Sequence, residues 1–251
     1  MKVTLCQYNV SNDWDKNYNH LAKEFKKHKR TDLLIAPEMC LTGFSFSKIV
    51  ESANYNIAHV ENIKGLCELY HTAFYGSFLI KKKEKYYNRA YFINSEGEIE
   101  KHYDKLHLIK GFNEHKYLYP GKKNKVIYYK NLKIGLLVCY DLRFAEQFRA
   151  MAKEECDLYL LCAQWPKTRI NDMLLLARAR ALENQAFVAL CNATGKAGKF
   201  EMGGSSVIID CYGKIQTNLD SKITTITTEI DFYLVQKFRD DFPVLYDYSR
   251  S

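Results

Sequence analysis

The hydrophobic pattern is clearest at residues 132–138, a largely apolar run that ends at Cys139 and is followed by polar residues. Aliphatic and β-branched residues in such a run predict a strand that is covered on both faces. The spacing of apolar residues over 144–153 predicts a helix directly after it. We therefore expect Cys139 at the carboxyl end of a buried strand, where α/β proteins commonly hold functional residues.

The same pattern divides the rest of the chain into helices and strands. Apolar residues recur at helical spacing over 15–30, 58–71 and 171–184. Short apolar or alternating runs predict strands at residues 3–8, 33–36, 73–80, 86–93, 98–102, 125–129, 133–138, 156–162, 186–191, 205–210, 214–217 and 222–229. The strand at 33–36 stops at Pro37, and Glu38 follows immediately.

The connections between these strands differ in kind. Turn residues within 73–102 predict a meander of three antiparallel strands. Residues 125–138 predict a hairpin that leads to the cysteine, and residues 205–229 predict a closing hairpin of short strands. Residues 104–121 show no clean periodicity, so they predict a long polar connection of the kind that often carries functional residues.

The order of the elements indicates the fold class. The strands are more numerous than one small sheet needs, and helices alternate with them. This predicts an α/β fold in which two stacked sheets lie between outer layers of helices. No repeat, linker or low-complexity segment interrupts the pattern, so we expect a single domain over residues 1–251.

The net charge is +8, from 37 basic and 29 acidic residues. The lysines form short local runs at 26–30, 81–83 and 122–123, which are typical of solvated helix ends and hairpin tips. A nucleic-acid surface needs a continuous basic stripe with stacking aromatic residues or a binding motif, and the sequence has neither. We therefore expect no nucleic-acid partner.

The eight cysteines occur singly, without a Cys-x-x-Cys pair or a Cys/His cluster at zinc spacing. A zinc site is therefore not expected. We also expect no other metal and no cofactor. Most of these cysteines lie in apolar segments, where a free thiol behaves as a small hydrophobic group, and this favours a reducing cytoplasm. No run resembles a secretory signal or reaches membrane-spanning length, so we expect a cytoplasmic protein without a membrane partner.

Cys139 is a candidate nucleophile, although a single cysteine at a strand end is more often structural. Glu38, Lys105 and Glu114 lie in settings that suggest the same edge of a sheet. A thiolate needs a nearby base or cation, and acyl transfer needs positive charge where the carbonyl oxygen becomes an oxyanion. These residue types together predict cysteine-dependent acyl transfer, while ordinary surface charges are the alternative for Glu38 and Lys105.

Five segments resemble the conserved blocks of the nitrilase, or carbon–nitrogen hydrolase, superfamily, in the same order. They are Ala36-Pro37-Glu38-Met39, Asn88-Arg89-Ala90, Tyr103-Asp104-Lys105-Leu106-His107-Leu108, Cys139-Tyr140-Asp141-Leu142-Arg143-Phe144 and residues 177–186. The resemblance covers nearly the whole chain. It implies a four-layer α-β-β-α sandwich and an amidohydrolase that acts on a small-molecule amide.

The resemblance also implies roles for individual residues. Glu38 would be the general base and Cys139 the nucleophile. Lys105 and the backbone N–H of Tyr140 would stabilise the tetrahedral oxyanion. Glu114 would help to place the substrate amide and support the lysine.

Two other arrangements of these polar residues are possible from the sequence. His107 or His115 could form a Cys-His dyad with Cys139, but neither has the strand context or the orienting Asn or Asp that such a site needs. Asp141 and Arg143 could act in catalysis, but we expect them to form a structural ion pair that fixes the turn after the cysteine.

Residues 111–121 and the motif Gln164-Trp165-Pro166-x-x-Arg169 look like the ω-amidase branch of the superfamily. That branch hydrolyses α-ketoglutaramate and α-ketosuccinamate to dicarboxylates and ammonia. A substrate carboxylate calls for one further cation in the pocket. Our hypothesis is Arg169, with Lys167 in reserve; helix capping is the alternative role for Arg169. Trp165, Phe44 and Tyr140 are expected as apolar walls.

Leu106 follows the lysine where many members of the ω-amidase branch have arginine. Two alternatives therefore stand beside an ω-amidase. One is an N-carbamoyl or deaminated-glutathione amidohydrolase of the same superfamily. The other is a catalytically silent binding or assembly module.

The resemblance further implies a homodimer, formed through the helix after the nucleophile and the chain termini. Aromatic residues supply apolar surface at the corresponding positions, although they would serve equally well in the core of one chain. They are Phe144, Phe148, Phe238, Phe242 and Tyr246.

Overall fold

A computed structural model describes residues 1–249 of the 251-residue chain. Its strands, in chain order, are β1 (Lys2–Gln7), β2 (Leu33–Ile35), β3 (Ala73–Lys82), β4 (Lys85–Ile93), β5 (Ile99–Asp104), β6 (Lys125–Tyr129), β7 (Leu132–Val138), β8 (Leu158–Ala163), β9 (Phe187–Asn192), β10 (Thr194–Ala197), β11 (Phe200–Gly203), β12 (Val207–Ile209), β13 (Ile215–Asn218) and β14 (Thr224–Glu229). Its α-helices are α1 (Trp14–Lys27), α2 (Ile49–Tyr70), α3 (Glu114–Tyr117), α4 (Ala145–Ala152), α5 (Ile170–Glu183), α6 (Tyr233–Asp241) and α7 (Val244–Ser249). Short 3-10 helices span Phe46–Lys48, Lys110–Phe112, Cys139–Arg143 and Lys167–Arg169.

Two six-stranded sheets form the centre of the molecule. The first has the order β14-β1-β2-β3-β4-β5, with parallel pairing from β1 to β3. The second has the order β13-β12-β9-β8-β7-β6, with parallel pairing from β7 to β9. The predicted meander (β3 to β5) and the predicted hairpin (β6 and β7) are both confirmed.

Alternate residues of the strands supply two cores on the two faces of the first sheet. Val3 and Leu5 of β1 belong to the large cluster that includes the second sheet and α5. Cys6, the next residue, belongs to a separate cluster with residues of α1 and α2. Because successive strand residues face opposite sides, β1 contributes to both cores. The arrangement is the predicted α-β-β-α sandwich, and the Tyr75 hydroxyl links the two sheets by donating to the carbonyl of Leu137 at 2.8 Å.

The predicted closing hairpin is only partly correct. Strands β12 and β13 pair as expected, but β14 crosses to the first sheet and pairs with β1 along its whole length. Gln7 at the end of β1 donates to the carbonyls of Asp220 and Lys222 at 2.7 and 2.6 Å, so the loop before β14 is fixed to β1. This pairing covers a strand that would otherwise be a sheet edge.

Helix α2 begins at Ile49, nine residues before the predicted start at residue 58. Its first turns carry buried polar residues that weaken the apolar periodicity. The hydroxyl of Ser52 donates to the Thr42 hydroxyl at 2.7 Å, and the Asn56 side chain donates to the Leu79 carbonyl at 3.1 Å. Tertiary hydrogen bonds therefore stabilise a segment whose pattern alone does not predict a helix.

The sheets bring four chain segments to one edge. Strands β2 and β5 run in the same direction in the first sheet, and β7 and β8 are parallel in the second. The residues that follow these strands are Glu38, Lys105, Cys139 and Gln164. The backbone N–H of Glu38 donates to the Ala163 carbonyl at 3.3 Å, so this edge joins the two sheets directly. Within residues 1–249, no helix is both long and apolar enough to span a membrane.

Candidate active site

Cys139 lies where β7 passes into the 3-10 helix Cys139–Arg143. Its φ angle is +46°, in the left-handed region that non-glycine residues rarely adopt. The carboxylate of Asp141 stabilises this turn by accepting the backbone N–H of Val138 at 3.0 Å. The turn holds the thiol at the strand end, and such local strain is typical of functional positions.

Asp141 is fully buried and is bound from three directions. Besides the Val138 N–H, it accepts the Tyr103 hydroxyl at 2.7 Å and the backbone N–H of His107 at 3.1 Å. The expected ion pair between Asp141 and Arg143 is wrong. Asp141 points inward under the turn, whereas Arg143 points outward and pairs with Asp172 at 3.0 Å.

Glu38 is fully buried and lies at the centre of the polar cluster. One carboxylate oxygen, Oε1, accepts the Lys105 ammonium at 2.7 Å and the Asn88 side-chain amide at 2.7 Å. The other, Oε2, accepts the backbone N–H of Gln164 at 3.1 Å. The Gln164 side chain donates in turn to the Glu38 carbonyl at 2.8 Å. Both the side chain and the backbone of Glu38 are therefore held in place.

Lys105 joins the two buried glutamates. Its ammonium donates to both oxygens of Glu114, at 3.0 and 2.9 Å, in addition to Glu38. Glu114 also accepts the backbone N–H of Ile109 at 2.8 Å and the side chain of Asn88 at 3.2 Å. Burying three charged groups is costly unless they are paired and hydrogen-bonded, as they are here.

This environment controls the protonation of the cluster. Burial, followed by the negative charge of Glu38, raises the pKa of the Cys139 thiol well above its ordinary value. Burial raises the pKa of Glu114 as well, although Lys105 opposes the shift. Burial alone would lower the pKa of Lys105, but Glu114 and Glu38 together hold it well above that of a free lysine. The resting site therefore contains a neutral thiol and a protonated lysine.

An open cavity of about 340 Å³ leads to the thiol. Its lining residues are Ile109, Phe112, Cys139, Tyr140, Arg143, Gln164, Trp165, Pro166 and Arg169. The indole N–H of Trp165 donates to the Arg169 carbonyl at 2.9 Å, which holds this buried ring as a wall. Tyr140 and Trp165 thus lie in the cavity as expected.

Two arginines line this cavity. Arg143 lies over the Trp165 ring, 5.0 Å from its centroid. Arg143 and Arg169 share the carboxylate of Asp172, at 3.0 and 3.2 Å, and they lower the pKa of that carboxyl. One carboxylate neutralises only one of the two guanidinium groups, so this wall retains positive charge. Lys167, the reserve candidate, is exposed and pairs with Glu201 at 2.9 Å outside the cavity.

Phe44 does not line the cysteine cavity, contrary to expectation. It lines a neighbouring cavity of about 500 Å³ and stacks on Phe112, with ring centroids 5.0 Å apart. Phe112 lines both cavities and forms the wall between them. The 3-10 helix at Lys110–Phe112 brings this ring between Phe44 and the thiol, and residues 104–121 gave no periodic pattern from which to place it.

Neither histidine of the alternative dyad lines the cysteine cavity. His107 binds Asp141 through Nδ1 at 2.8 Å and stacks on Phe144, with ring centroids 3.5 Å apart. His115 is exposed on α3. The structure brings Glu38, not a histidine, together with the other charged groups of the site. In residues 1–249, no group of three or more His, Cys, Asp or Glu side chains is arranged to hold a metal ion.

Two residues of the cluster had no assigned role in the sequence analysis. Asn88 donates to both glutamates, and Gln164 fixes Glu38 from the second sheet. Gln164 directly follows β8, so the rule that functional residues follow parallel strands could have identified it. Asn88 lies within β4, where only its match to a family block marked it.

Comparison with known proteins agrees with this geometry. The family model described as carbon-nitrogen hydrolase matches residues 2–240. The 2-oxoglutaramate amidase of Bacillus subtilis (strain 168) is 32% identical over 228 residues, which are 90% of this chain and 88% of that protein. The omega-amidase YafV of Yersinia enterocolitica is 31% identical over 250 residues, which are 98% of this chain and 96% of that protein.

Solved structures show the same fold. XC1258 from Xanthomonas campestris, a CN-hydrolase superfamily protein with an arsenic adduct in its active site, superposes with a TM-score of 0.92 at 28% identity. The match covers 98% of this chain and 96% of that one. A carbon-nitrogen hydrolase from Helicobacter pylori G27 has a TM-score of 0.93 at 22% identity, over 98% of this chain and 94% of that one. The chain therefore belongs to the carbon-nitrogen hydrolase family.

Proposed function

We propose that this protein is an ω-amidase-like amidohydrolase, which cleaves a small linear amide that also carries a carboxylate. The observation that supports it most is the buried cluster of Glu38, Lys105 and Glu114 behind Cys139, which lines a cavity together with two arginines. The names of the bacterial relatives, 2-oxoglutaramate amidase and omega-amidase, point to the same class of substrate. α-Ketoglutaramate and α-ketosuccinamate are the substrates we propose, with a dicarboxylate and ammonia as products.

Acylation of the cysteine is the first step of the proposed mechanism. The raised pKa of Cys139 keeps the thiol protonated at rest, so the attack needs a base. Glu38 accepts the thiol proton as Sγ attacks the amide carbon. Lys105 and the backbone N–H of Tyr140 stabilise the oxyanion. Glu38 passes the proton to the amide nitrogen, the C–N bond breaks, and ammonia leaves a thioester on Cys139.

Hydrolysis of the thioester is the second step. Glu38 accepts a proton from a water molecule, whose oxygen attacks the thioester carbon. The C–S bond breaks, the carboxylic acid leaves, and the proton returns from Glu38 to Cys139. Glu114 acts as a positioning residue, since it holds the Lys105 ammonium through two hydrogen bonds at 3.0 and 2.9 Å.

Arg169 and Arg143 are the proposed partners of the substrate carboxylate. Guanidinium groups bind carboxylates through paired, charge-assisted hydrogen bonds. In the structure, the carboxylate of Asp172 forms ion pairs with both arginines. Two guanidinium groups face the single carboxylate of Asp172, so one positive charge is left without a matching negative charge. A substrate carboxylate would supply that negative charge and share the two arginines with Asp172.

Steady-state kinetics on amides of different charge tests this assignment. We expect Arg169→Met to raise the KM for α-ketoglutaramate by about 10- to 100-fold, the value of a lost charge-assisted hydrogen bond. A neutral linear amide of similar length should be little affected. Lys167→Met is the matched control, because it removes an exposed cation from the same 3-10 helix but outside the cavity.

An equal loss on charged and neutral amides would contradict the role of Arg169. Activity on N-carbamoylputrescine or deaminated glutathione in place of α-ketoglutaramate would instead favour the other amidohydrolases of the superfamily. A Cys139→Ala variant with unchanged biological function would favour a silent binding or assembly module.

We also propose that the protein is a single-domain cytoplasmic homodimer. All eight cysteines are free thiols, which is the form that a reducing compartment maintains. Of the aromatic residues considered for the dimer, Phe148 is buried in the core of the chain, whereas Phe242 and Tyr246 are 60% and 57% exposed. Sedimentation equilibrium of the wild type and of Phe242→Ser tests whether this end of the chain associates.

A further inference from the structure

Two lysine runs that are distant in sequence line one cavity of about 600 Å³, which we call the lysine cavity. One run is at the tip of the β3–β4 hairpin, and the other follows the polar connection that ends at Gly121. The lysines that line the cavity are Lys82, Lys83, Lys85, Lys122, Lys123 and Lys125. In the sequence these runs were typical of separate solvated tips, but the fold brings them together.

The positive charge of the lysine cavity is not neutralised from within. None of its six lysines forms an ion pair with a residue in the described part of the chain. Two carboxylates line the cavity, and both have other partners. Glu84 pairs with Lys81 at 3.3 Å, and Asp104 accepts two hydrogen bonds from Arg89 at 2.6 and 2.9 Å. Like charges collected in this way repel each other unless an anion joins them.

His102, which also lines the lysine cavity, lies within this positive field. Burial lowers the pKa of its imidazole, and the charges of Arg89, Lys82 and Lys125 lower it further, against the opposing charge of Asp104. Both lysine runs therefore act on one side chain on the cavity wall.

The backbone fixes the second run beside the first. The N–H of Gly121 donates to the Lys105 carbonyl at 2.8 Å, and a Cβ at Gly121 would lie 2.0 Å from the carbonyl oxygen of Asp104. Only glycine permits this close approach, which places Lys122 directly at the end of β5. A contact from the first run points the same way. The ammonium of Lys85 lies 4.4 Å from the centroid of the Tyr119 ring, which belongs to the polar connection that ends at Gly121.

We propose that the lysine cavity binds a compact polyanion, specifically the phosphate chain of a triphosphate. Lysine binds phosphate as a point charge, so several lysines around a concave site suit several linked phosphates better than one. A monocarboxylate or dicarboxylate would leave most of the six charges unmatched. An extended nucleic acid would contact a continuous basic stripe, whereas these lysines surround one cavity.

Isothermal titration calorimetry with inorganic tripolyphosphate at low salt tests the proposal. We expect saturable binding that is at least about tenfold tighter than binding of orthophosphate, and that weakens with salt because the contacts are ionic. ATP serves as a parallel probe. Tighter binding of ATP than of tripolyphosphate would identify a nucleotide as the source of the phosphates, and equal binding would identify the phosphate chain alone; both support the site.

Charge-matched variants separate a site from an effect of net charge. Lys83→Gln/Lys122→Gln takes one lysine from each run, and we expect it to weaken tripolyphosphate binding by about tenfold or more. Lys26→Gln/Lys29→Gln is the control, because it removes the same charge from the exposed run at the end of α1. Lys83→Arg/Lys122→Arg keeps the charge and should retain binding.

Equal weakening by the two glutamine variants would overturn the proposal, and so would equal affinity for tripolyphosphate and orthophosphate. If Lys83→Gln/Lys122→Gln does not fold, the single variants Lys83→Gln and Lys122→Gln carry the same comparison against Lys29→Gln. The readout is binding heat, not amide hydrolysis, so the result does not depend on the proposed catalytic function.

Discussion

At the scale of single residues, Glu38 illustrates how burial and pairing create a reactive site. Its carboxylate accepts hydrogen bonds from Lys105, Asn88 and the Gln164 backbone, so its polar atoms are satisfied without contact with solvent. The thiol beside it is neutral at rest, and the pairing keeps the lysine charged. The proposed nucleophile and the proposed oxyanion partner therefore have the protonation states that the proposed mechanism assumes.

The residues that follow predicted strands were the ones that sequence reasoning could place. Glu38 and Cys139 each follow a buried strand, and they meet because β2 of the first sheet and β7 of the second end at the edge where the two sheets stack. The predicted ion pair between Asp141 and Arg143 does not form, for a physical reason. Residues two apart do not share a face in a tight turn, so the carboxylate points inward and the guanidinium points towards solvent. A charge pattern alone does not reveal this difference.

At the scale of elements, the polar connection between β5 and β6 is the segment that shapes the cavity. Its 3-10 helix at Lys110–Phe112 presents Phe112 to the cysteine cavity, and α3 places Glu114 against Lys105. This segment has no periodic apolar pattern, because its side chains contribute to the candidate active site and to the wall of the cysteine cavity and do not form one apolar face. Its functional importance could be predicted from sequence, but its conformation could not.

Phe112 offers a test of how this element limits the substrate. Phe112→Ala should join the cysteine cavity of about 340 Å³ to the neighbouring one of about 500 Å³. We expect kcat/KM for an amide with a longer acyl chain to rise by about tenfold relative to α-ketoglutaramate, the range that added methylenes contribute in an apolar pocket. The measurement is the ratio of the two kcat/KM values.

Phe46→Ala is the control for this variant, because Phe46 lines the neighbouring cavity but not the wall. It should leave the ratio unchanged. A ratio that moves equally in both variants would mean that loosened packing, and not the wall at Phe112, changes the selectivity.

The last strand, β14, shows that a sequence pattern can predict a strand without predicting which strand it pairs with. An alternating segment such as β14 pairs equally well with a neighbour in sequence or with an open edge elsewhere. The loop bonds of Gln7 to the Asp220 and Lys222 carbonyls direct it to β1. These contacts lie far apart in the chain, so they emerge only when both sheets are assembled.

At the scale of the whole molecule, the buried thiols couple stability to pH. Burial raises the pKa of all eight cysteines in the folded state. In the unfolded chain they titrate near about 8.5. Above that pH the unfolded state releases protons that the folded state retains. The contribution of the thiols to the free energy of unfolding is therefore fully present below the unfolded pKa and is lost as pH rises above it.

We therefore expect the free energy of unfolding to decrease steeply between about pH 8.5 and 10, by up to about 1.4 kcal/mol per pH unit for each thiol. Urea denaturation under reducing conditions measures it. Cys156→Ala, which removes one fully buried thiol, should reduce the slope by about one such increment. A free energy that stays constant over this range, or a slope that Cys156→Ala does not change, would contradict the argument.

The whole fold was more predictable than the site within it. Two stacked sheets with helices outside follow from the number and order of apolar runs, and the shared sheet edge follows from strand direction. The convergence of the two lysine runs is a property of the assembled fold alone. It depends on the close approach of Gly121 to β5, which no local pattern predicts.

The proposed function depends on one chemical step, in which Cys139 forms a thioester with the acyl group of a carboxylate-bearing amide. Mass spectrometry of the wild-type protein, acid-quenched during turnover of α-ketoglutaramate and then digested, tests it most directly. We expect an acyl adduct, formed with loss of ammonia, on the peptide that contains Cys139, and no adduct or turnover in Cys139→Ala. Turnover that persists in Cys139→Ala, or an adduct on another cysteine, would contradict it.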